Sequence, residues 1–455
     1  MRAIPAGGLT RELVRPHTHP DLLIPLTITD RFGSHMPVHS LLVFRSGPTV
    51  EALRAALAVV LEHHADYAGR LERRGVAEYI VCRGQGVLLE VQDVDVTLDS
   101  IEIDLPAYAS ALCATECSST SVQEGIEPLT RIRISRLSDG GQVFATCMPH
   151  SLTDGGGLAL FLTNLARQLT GEPLAPVDLD RPELPNSPEE GLAALRERQS
   201  ILPRSPSTVG QGGSRDLSGL VVRAGSDSHP RESSTVPVGR VEIDRDSVGQ
   251  LRRKHGLVMG HVLNAVVLKA LARISTASEC GNIFYMPVFN VRGRQYPDNY
   301  SGNSVIVGLV PVAQDQLLAE PLERIAKRLF VENIKTLNEK SLRASVSLMR
   351  YMTAEMFYRG IEHEASVMID NVSELSLTRI DFGHGSPVAY FMPPPTDIRV
   401  PFIYISQTPA HGLLFQIADP HDRFAGFGDE IARLLQHELM STPGATPGKA
   451  DTDAC

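Results

Sequence analysis

Between residues 48 and 64, Val50, Leu53, Leu57, Val60 and Leu61 recur at the spacing of one helix face, and Thr49 stands where an N-cap belongs. That pattern predicts a helix with one buried side. From residue 131 to 148 the period drops toward two, because RIRISRL and QVFATCM flank Asp139, Gly140 and Gly141. Alternating runs around an Asp-Gly turn predict a hairpin. Three glycines then open a helix expected over 158–169. Farther on, GRVEID reads as a strand, 244–254 as a helix stopped by Gly256, and 260–275 as a helix carrying Val262, Val266, Leu268 and Leu271. FYMPVFNV, VAYFM and PFIYIS read as strands. Helices are expected over 321–339, 342–358 and 428–440, ahead of a polar tail. Strands and helices mix without a βαβ rhythm, so the fold class is α/β with mixed sheets, not a doubly wound parallel sheet.

One interval breaks the pattern. From about 171 to 239 the chain is rich in Pro, Ser and Gly, with only a short helical patch at GLAALRERQ. Such a stretch fits a crossover between two halves better than a packed element. A length of 455 residues likewise suggests two domains or a fold of two halves. The expected division is 1–172, a linker over 173–238, and 239–455, with part of 356–390 free to pack on the N-terminal half.

A formal net charge of −10 removes the basic field that a run of phosphates needs, so no nucleic acid partner is expected. Small phosphorylated ligands remain compatible with local Arg and Lys clusters. Six scattered cysteines show no paired zinc-finger spacing and read as reduced thiols, so no metal is expected. The N-terminus lacks an apolar signal core, and the longest apolar runs are short for a membrane span. A cytoplasmic protein without membrane attachment is the expectation. The chain also contains no tryptophan.

The densest candidate chemistry is MPHSLTDGGG, residues 148–157. His150 falls just past a strand, where one ring nitrogen can face a cleft and serve as a general base. Asp154 could cap the following helix, or turn away and pair with a cation that fixes the loop. The glycines permit close backbone approach, but no Gly-Lys-Ser/Thr follows, which excludes a phosphate loop. Spacing alone leaves the function open.

Four segments in order resemble the BAHD acyltransferases, of the chloramphenicol-acetyltransferase-like and condensation-domain superfamily. Their His-x-x-x-Asp-Gly stands here as His150, Asp154 and Gly155, and Asp-Phe-Gly-Trp-Gly resembles Asp381, Phe382, Gly383, His384 and Gly385. FNVRGRQYPDNYSGNS and ADYAGRL are similar to two further family segments, and the likeness runs from about residue 22 to 435. The resemblance implies two chloramphenicol-acetyltransferase-like halves, a long crossover, and an active-site channel between them. It implies no permanently bound cofactor. Acyl-CoA would be a co-substrate, a small alcohol or amine the acceptor, and His150 the general base in a ternary complex. Asp154 would pair with Arg292, and Asp381, Gly383 and Gly385 would form a structural loop. His384 replaces the family's tryptophan, which leaves it either an oxyanion or pocket residue or a tolerated change in a turn. A donor held on an acyl-carrier protein is the alternative, as is a non-catalytic binding protein of the same fold. Two halves complete their own site, so a monomer is expected.

Overall fold

The computed structural model describes residues 8–34, 36–117, 120–201, 238–275, 281–351, 365–375, 377–394, 400–419 and 425–440. Two mixed sheets organise them, beside a three-stranded antiparallel sheet of Leu22–Pro25, Ala77–Cys82 and Arg70–Arg74. The first runs in the order Thr10–Val14, Val87–Val94, Arg131–Leu137, Gln142–Pro149, Pro37–Phe44 and Ala389–Phe391. Arg131–Leu137 and Gln142–Pro149 form the expected hairpin, with Gly140 at φ 90° in its turn, a conformation a side chain resists. All eight positions of Gln142–Pro149 and of Pro37–Phe44 are buried, because helices cover both faces. Val50–His63 and Gly155–Thr170 pack on one side, and Leu98–Leu112 on the other. Thr49 caps Val50–His63 by accepting from the Ala52 N–H at 3.2 Å.

The second sheet has the order Val305–Val307, Asn282–Asn290, Ser366–Asn371, Phe402–Gln407, Leu413–Ala418 and Val238–Ile243, with Val310–Ala313 alongside Asn282–Asn290. Its side-chain alternation builds the union of the two halves. Ile283, Tyr285, Val367, Ile369, Ile403 and Ile405 face a core covered by Arg245–His255, Met259–Ile274, Leu322–Thr336 and Phe427–Met440. Phe284, Met286, Met368, Phe402 and Tyr404, on the opposite face, join the apolar core of the first half. At about 25 cal/mol per Å² of apolar area, such a shared core is a strong bond between the halves.

Composition misled in one place. Residues just after Gly155–Thr170 are packed: the Asp178 N–H donates to the Asn299 carbonyl at 2.9 Å, the Ser301 N–H donates to the Asp178 carbonyl at 3.0 Å, and Leu184 and Arg181 are buried. Backbone pairing and one buried arginine order a stretch that has no hydrophobic period. The helical patch becomes Pro188–Ile201. The rest of the expected linker, 202–237, lies outside the described residues; the helix expected over 342–358 is instead Glu339–Leu348, ending at a C-cap on Met349, and 352–364 lie outside the described residues.

Candidate active site

Gln142–Pro149 delivers His150 to the seam between the halves. The strand ends at Pro149, whose carbonyl accepts from the Leu152 N–H at 2.9 Å, and the chain reverses into Gly155–Thr170. The His150 N–H donates to the Met36 carbonyl at 2.9 Å, which ties the residue to the neighbouring strand. Gly33 supplies the room: a Cβ there would lie 2.8 Å from the His150 Cβ. Asn303 lies beside the ring and favours its protonated form. Its amide is itself oriented, donating from Nδ2 to the Thr29 carbonyl at 3.4 Å and accepting at Oδ1 from the Val305 N–H at 3.1 Å. Burial lowers the His150 pKa below its ordinary value, against the opposing pull of Asp154 and Asn303.

Asp154 does both things that its position allows. Its side chain caps Gly155–Thr170, where Oδ1 accepts from the N–H groups of Gly156 at 2.9 Å and Gly157 at 3.0 Å. It also meets Arg292 Nη1 at 2.7 Å, and Oδ2 accepts from the Ser304 N–H at 2.7 Å. Burial opposes its ionisation, but Arg292 and the Gly157 and Ser304 donors prevail and hold its pKa below the usual carboxylate range. Arg292 is saturated in turn, donating to the carbonyls of Tyr300 at 3.0 Å and Gly302 at 2.6 Å. Neither group is therefore available to substrate. The glycines explain the close fit, since a Cβ on Gly157 would strike the Ser301 carbonyl and one on Gly156 would strike Arg292.

A second buried ion cluster grips the same loop from the crossover. Arg181 donates to the carbonyls of Ser151 and Leu152, each at 2.7 Å, and meets Asp30 and Asp66 at 3.3 Å, with all three side chains fully buried. Burial pushes both carboxyls up in pKa despite Arg181 between them. Thr153 completes the hold, accepting from the Tyr67 hydroxyl and donating to the Ser301 carbonyl, both at 2.9 Å. The sequence motifs singled out none of Arg181, Asp30, Asp66, Asn303 and Ser304 as site residues, although Asp66, Asn303 and Ser304 lie inside the two family-like segments.

The seam also carries a set of buried polar groups. Asp370, Tyr404 and Gln416 are direct cross-strand neighbours on the face turned toward the first half. Burial, with the Asp154 charge adding, pushes the Asp370 carboxyl up to about 7. The Tyr390 hydroxyl and Gln416 Nε2 are buried with no hydrogen-bond partner among the described residues.

The Asp381 to Gly385 loop closes on its own backbone. Asp381 Oδ1 accepts from the N–H groups of Gly383, His384 and Gly385 at 2.8, 3.0 and 2.9 Å, closing a turn in which Gly383 and Gly385 have φ of 89° and 95°. Phe382 anchors it against Phe44 and Phe144, both with ring centroids at 5.1 Å. Gly383 lies beside Thr170, at the far end of the helix that Asp154 caps, and His384 is exposed. Sixteen helical residues rise about 24 Å, so His384 is one helix length from His150.

Two lobes joined over a strand-end histidine are the arrangement of the chloramphenicol-acetyltransferase-like class of acyltransferases. Over residues 9–211 and 245–403 the chain matches the family model described as Transferase family. It belongs to that family, the BAHD acyltransferases. It is 27% identical to (Z)-3-hexen-1-ol acetyltransferase of Arabidopsis thaliana over 83% of this chain and 82% of that one. It is 33% identical to 13-hydroxylupanine O-tigloyltransferase of Lupinus albus, over only 29% of this chain and 31% of the relative. The fold is similar to that of vinorine synthase, with TM-score 0.61 and 15% identity over 93% of this chain and 96% of that one. It is equally similar to F. sporotrichioides TRI101 complexed with coenzyme A and T-2, with TM-score 0.62 and 14% identity over 92% and 97%.

Proposed function

We propose that the protein transfers an acyl group from acyl-CoA to a hydroxyl or amine of a small specialised metabolite, with His150 as general base in a ternary complex. The observation that carries this reading is the fixed imidazole of His150 at the seam, beside an Asp154 that is committed elsewhere. With Asn303 beside the ring, one imidazole nitrogen keeps its lone pair for the acceptor. That nitrogen takes the acceptor proton as the oxygen or nitrogen attacks the thioester carbonyl. The tetrahedral oxyanion collapses, the C–S bond breaks, and the imidazolium returns the proton to the CoA thiolate. No acyl-enzyme forms. Base catalysis of this kind contributes about 10²–10⁴-fold. Support for a CoA donor comes from the coenzyme A held by the TRI101 structure, and for hydroxyl acceptors from the alcohol acyltransferases among the relatives. The test is thiol release with a panel of acyl-CoAs against mixed alcohols and amines, run beside the same acyl groups on a carrier protein. Release from free acyl-CoA is expected. Turnover confined to the carrier-bound donor would overturn the CoA assignment.

A further inference from the structure

On the opposite face of the sheet that holds His150, donor side chains from three distant parts of the sequence meet. His39 and Cys147 are direct partners on adjacent strands, so their side chains stand together on the side covered by Leu98–Leu112. Glu116 reaches over them from the loop that follows that helix. His39 Nε2 lies 3.3 Å from Glu116 Oε2, and Cys147 Sγ lies 3.9 Å from His39 Nε2 and 3.8 Å from Glu116 Oε1. A tetrahedral zinc, with Zn–S near 2.3 Å and Zn–N and Zn–O near 2.0–2.1 Å, would set these atoms about 3.3–3.6 Å apart. The match is within a few tenths of an ångström. Cys117 Sγ lies 3.1 Å from Cys147 Sγ, beside the three donors but outside the set whose ligand atoms all lie within 4.8 Å of one another. His39, Cys117 and Cys147 are buried, while the Glu116 side chain is 38% exposed and leaves an entry path. Spacing along the chain conceals the set, since the three donors come from two strands and a loop.

We propose that His39, Glu116 and Cys147 form a site for one divalent cation of the zinc class. A sulfur, an imidazole and a carboxylate make a borderline-soft set that suits zinc over magnesium or calcium. On binding, the Cys147 thiol and the His39 imidazole each lose a proton to solvent as the metal–sulfur and metal–nitrogen bonds form, with no change of oxidation state. Three protein donors would hold the ion, with one position left for a water. The site clamps the 113–117 loop to the strand pair that ends three residues later at His150.

The full chain, stripped with a chelator under reducing conditions, is titrated with Co²⁺ and then Zn²⁺. One Co²⁺ per chain is expected, with a thiolate-to-cobalt charge-transfer band in the near ultraviolet, displaced by one Zn²⁺ and accompanied by release of about two protons. The band should vanish in Cys147→Ser. Glu116→Gln, at a partly exposed position that spares the core, should keep its fold and lose roughly tenfold or more in Zn²⁺ affinity. Zn²⁺ should raise the Tm of the wild type more than that of Glu116→Gln. Cobalt bound without the band, unchanged Zn²⁺ affinity in Glu116→Gln, or reduced thiols that bind no metal would each overturn the proposal, the last in favour of a plain buried thiol pair.

Discussion

Asp154 caps a helix, neutralises an arginine and receives the backbone of the opposite half, all with one carboxylate. Removing its charge strands Arg292, and breaking a buried pair of this kind costs about 3–5 kcal/mol. Asp154→Ala and Arg292→Ala are therefore expected to lose stability as well as rate, and denaturant melts that match the wild type would contradict the pair. Asp370 obeys the opposite logic. Its folded pKa, raised to about 7, lies above the unfolded value, so the stability tied to it is complete at low pH and is lost as pH climbs toward 7. Asp370→Asn removes that loss. Its Tm advantage over the wild type should grow between about pH 5 and pH 8, and a constant difference would contradict the buried carboxyl. The sequence marked His150 and Asp154 by their spacing, but it could not show Asp370, whose raised pKa comes from burial and from the Asp154 charge across the seam.

At the scale of elements, periodicity located what one face of burial creates. Val50–His63 and the hairpin of Arg131–Leu137 and Gln142–Pro149 match their sequence patterns. Elements buried on both faces, or broken by a special residue, left weaker traces. Pro37–Phe44 and Leu413–Ala418 are buried throughout and show no alternation, and Leu98–Leu112 contains Pro106 and a non-helical Asp104. The Asp381 to Gly385 turn was legible as a motif, but its place was not. An Asp side chain closing on three N–H groups needs nothing from the fourth residue except its backbone. His384→Ala is accordingly expected to leave kcat and KM for both substrates near wild type, and a change of tenfold or more would return His384 to the site.

For the whole molecule, the decisive contacts cross the seam. Composition marked the crossover, yet its first part also braces the active-site loop, because Arg181 pins the carbonyls of Ser151 and Leu152 and separates two buried carboxyls. Arg181→Met would leave Asp30 and Asp66 facing each other unpaired, and a loss of about 3–5 kcal/mol in denaturant unfolding is expected. A melt like that of the wild type would show that the crossover merely connects. No hydrophobic period announces such a residue, because its partners belong to three separate segments.

The central claim, that the seam exists to hold His150 as the base for acyl transfer, is tested most directly by the pH dependence of CoA release in the wild type and in His150→Ala. In the wild type kcat/KM should fall with acid through an inflection below about 6.5, the ordinary histidine value, because burial disfavours the imidazolium. His150→Ala should melt like the wild type, lose about 10²–10⁴-fold in rate, and lose that inflection. A folded His150→Ala protein that keeps wild-type rate and the same acid limb would contradict the account.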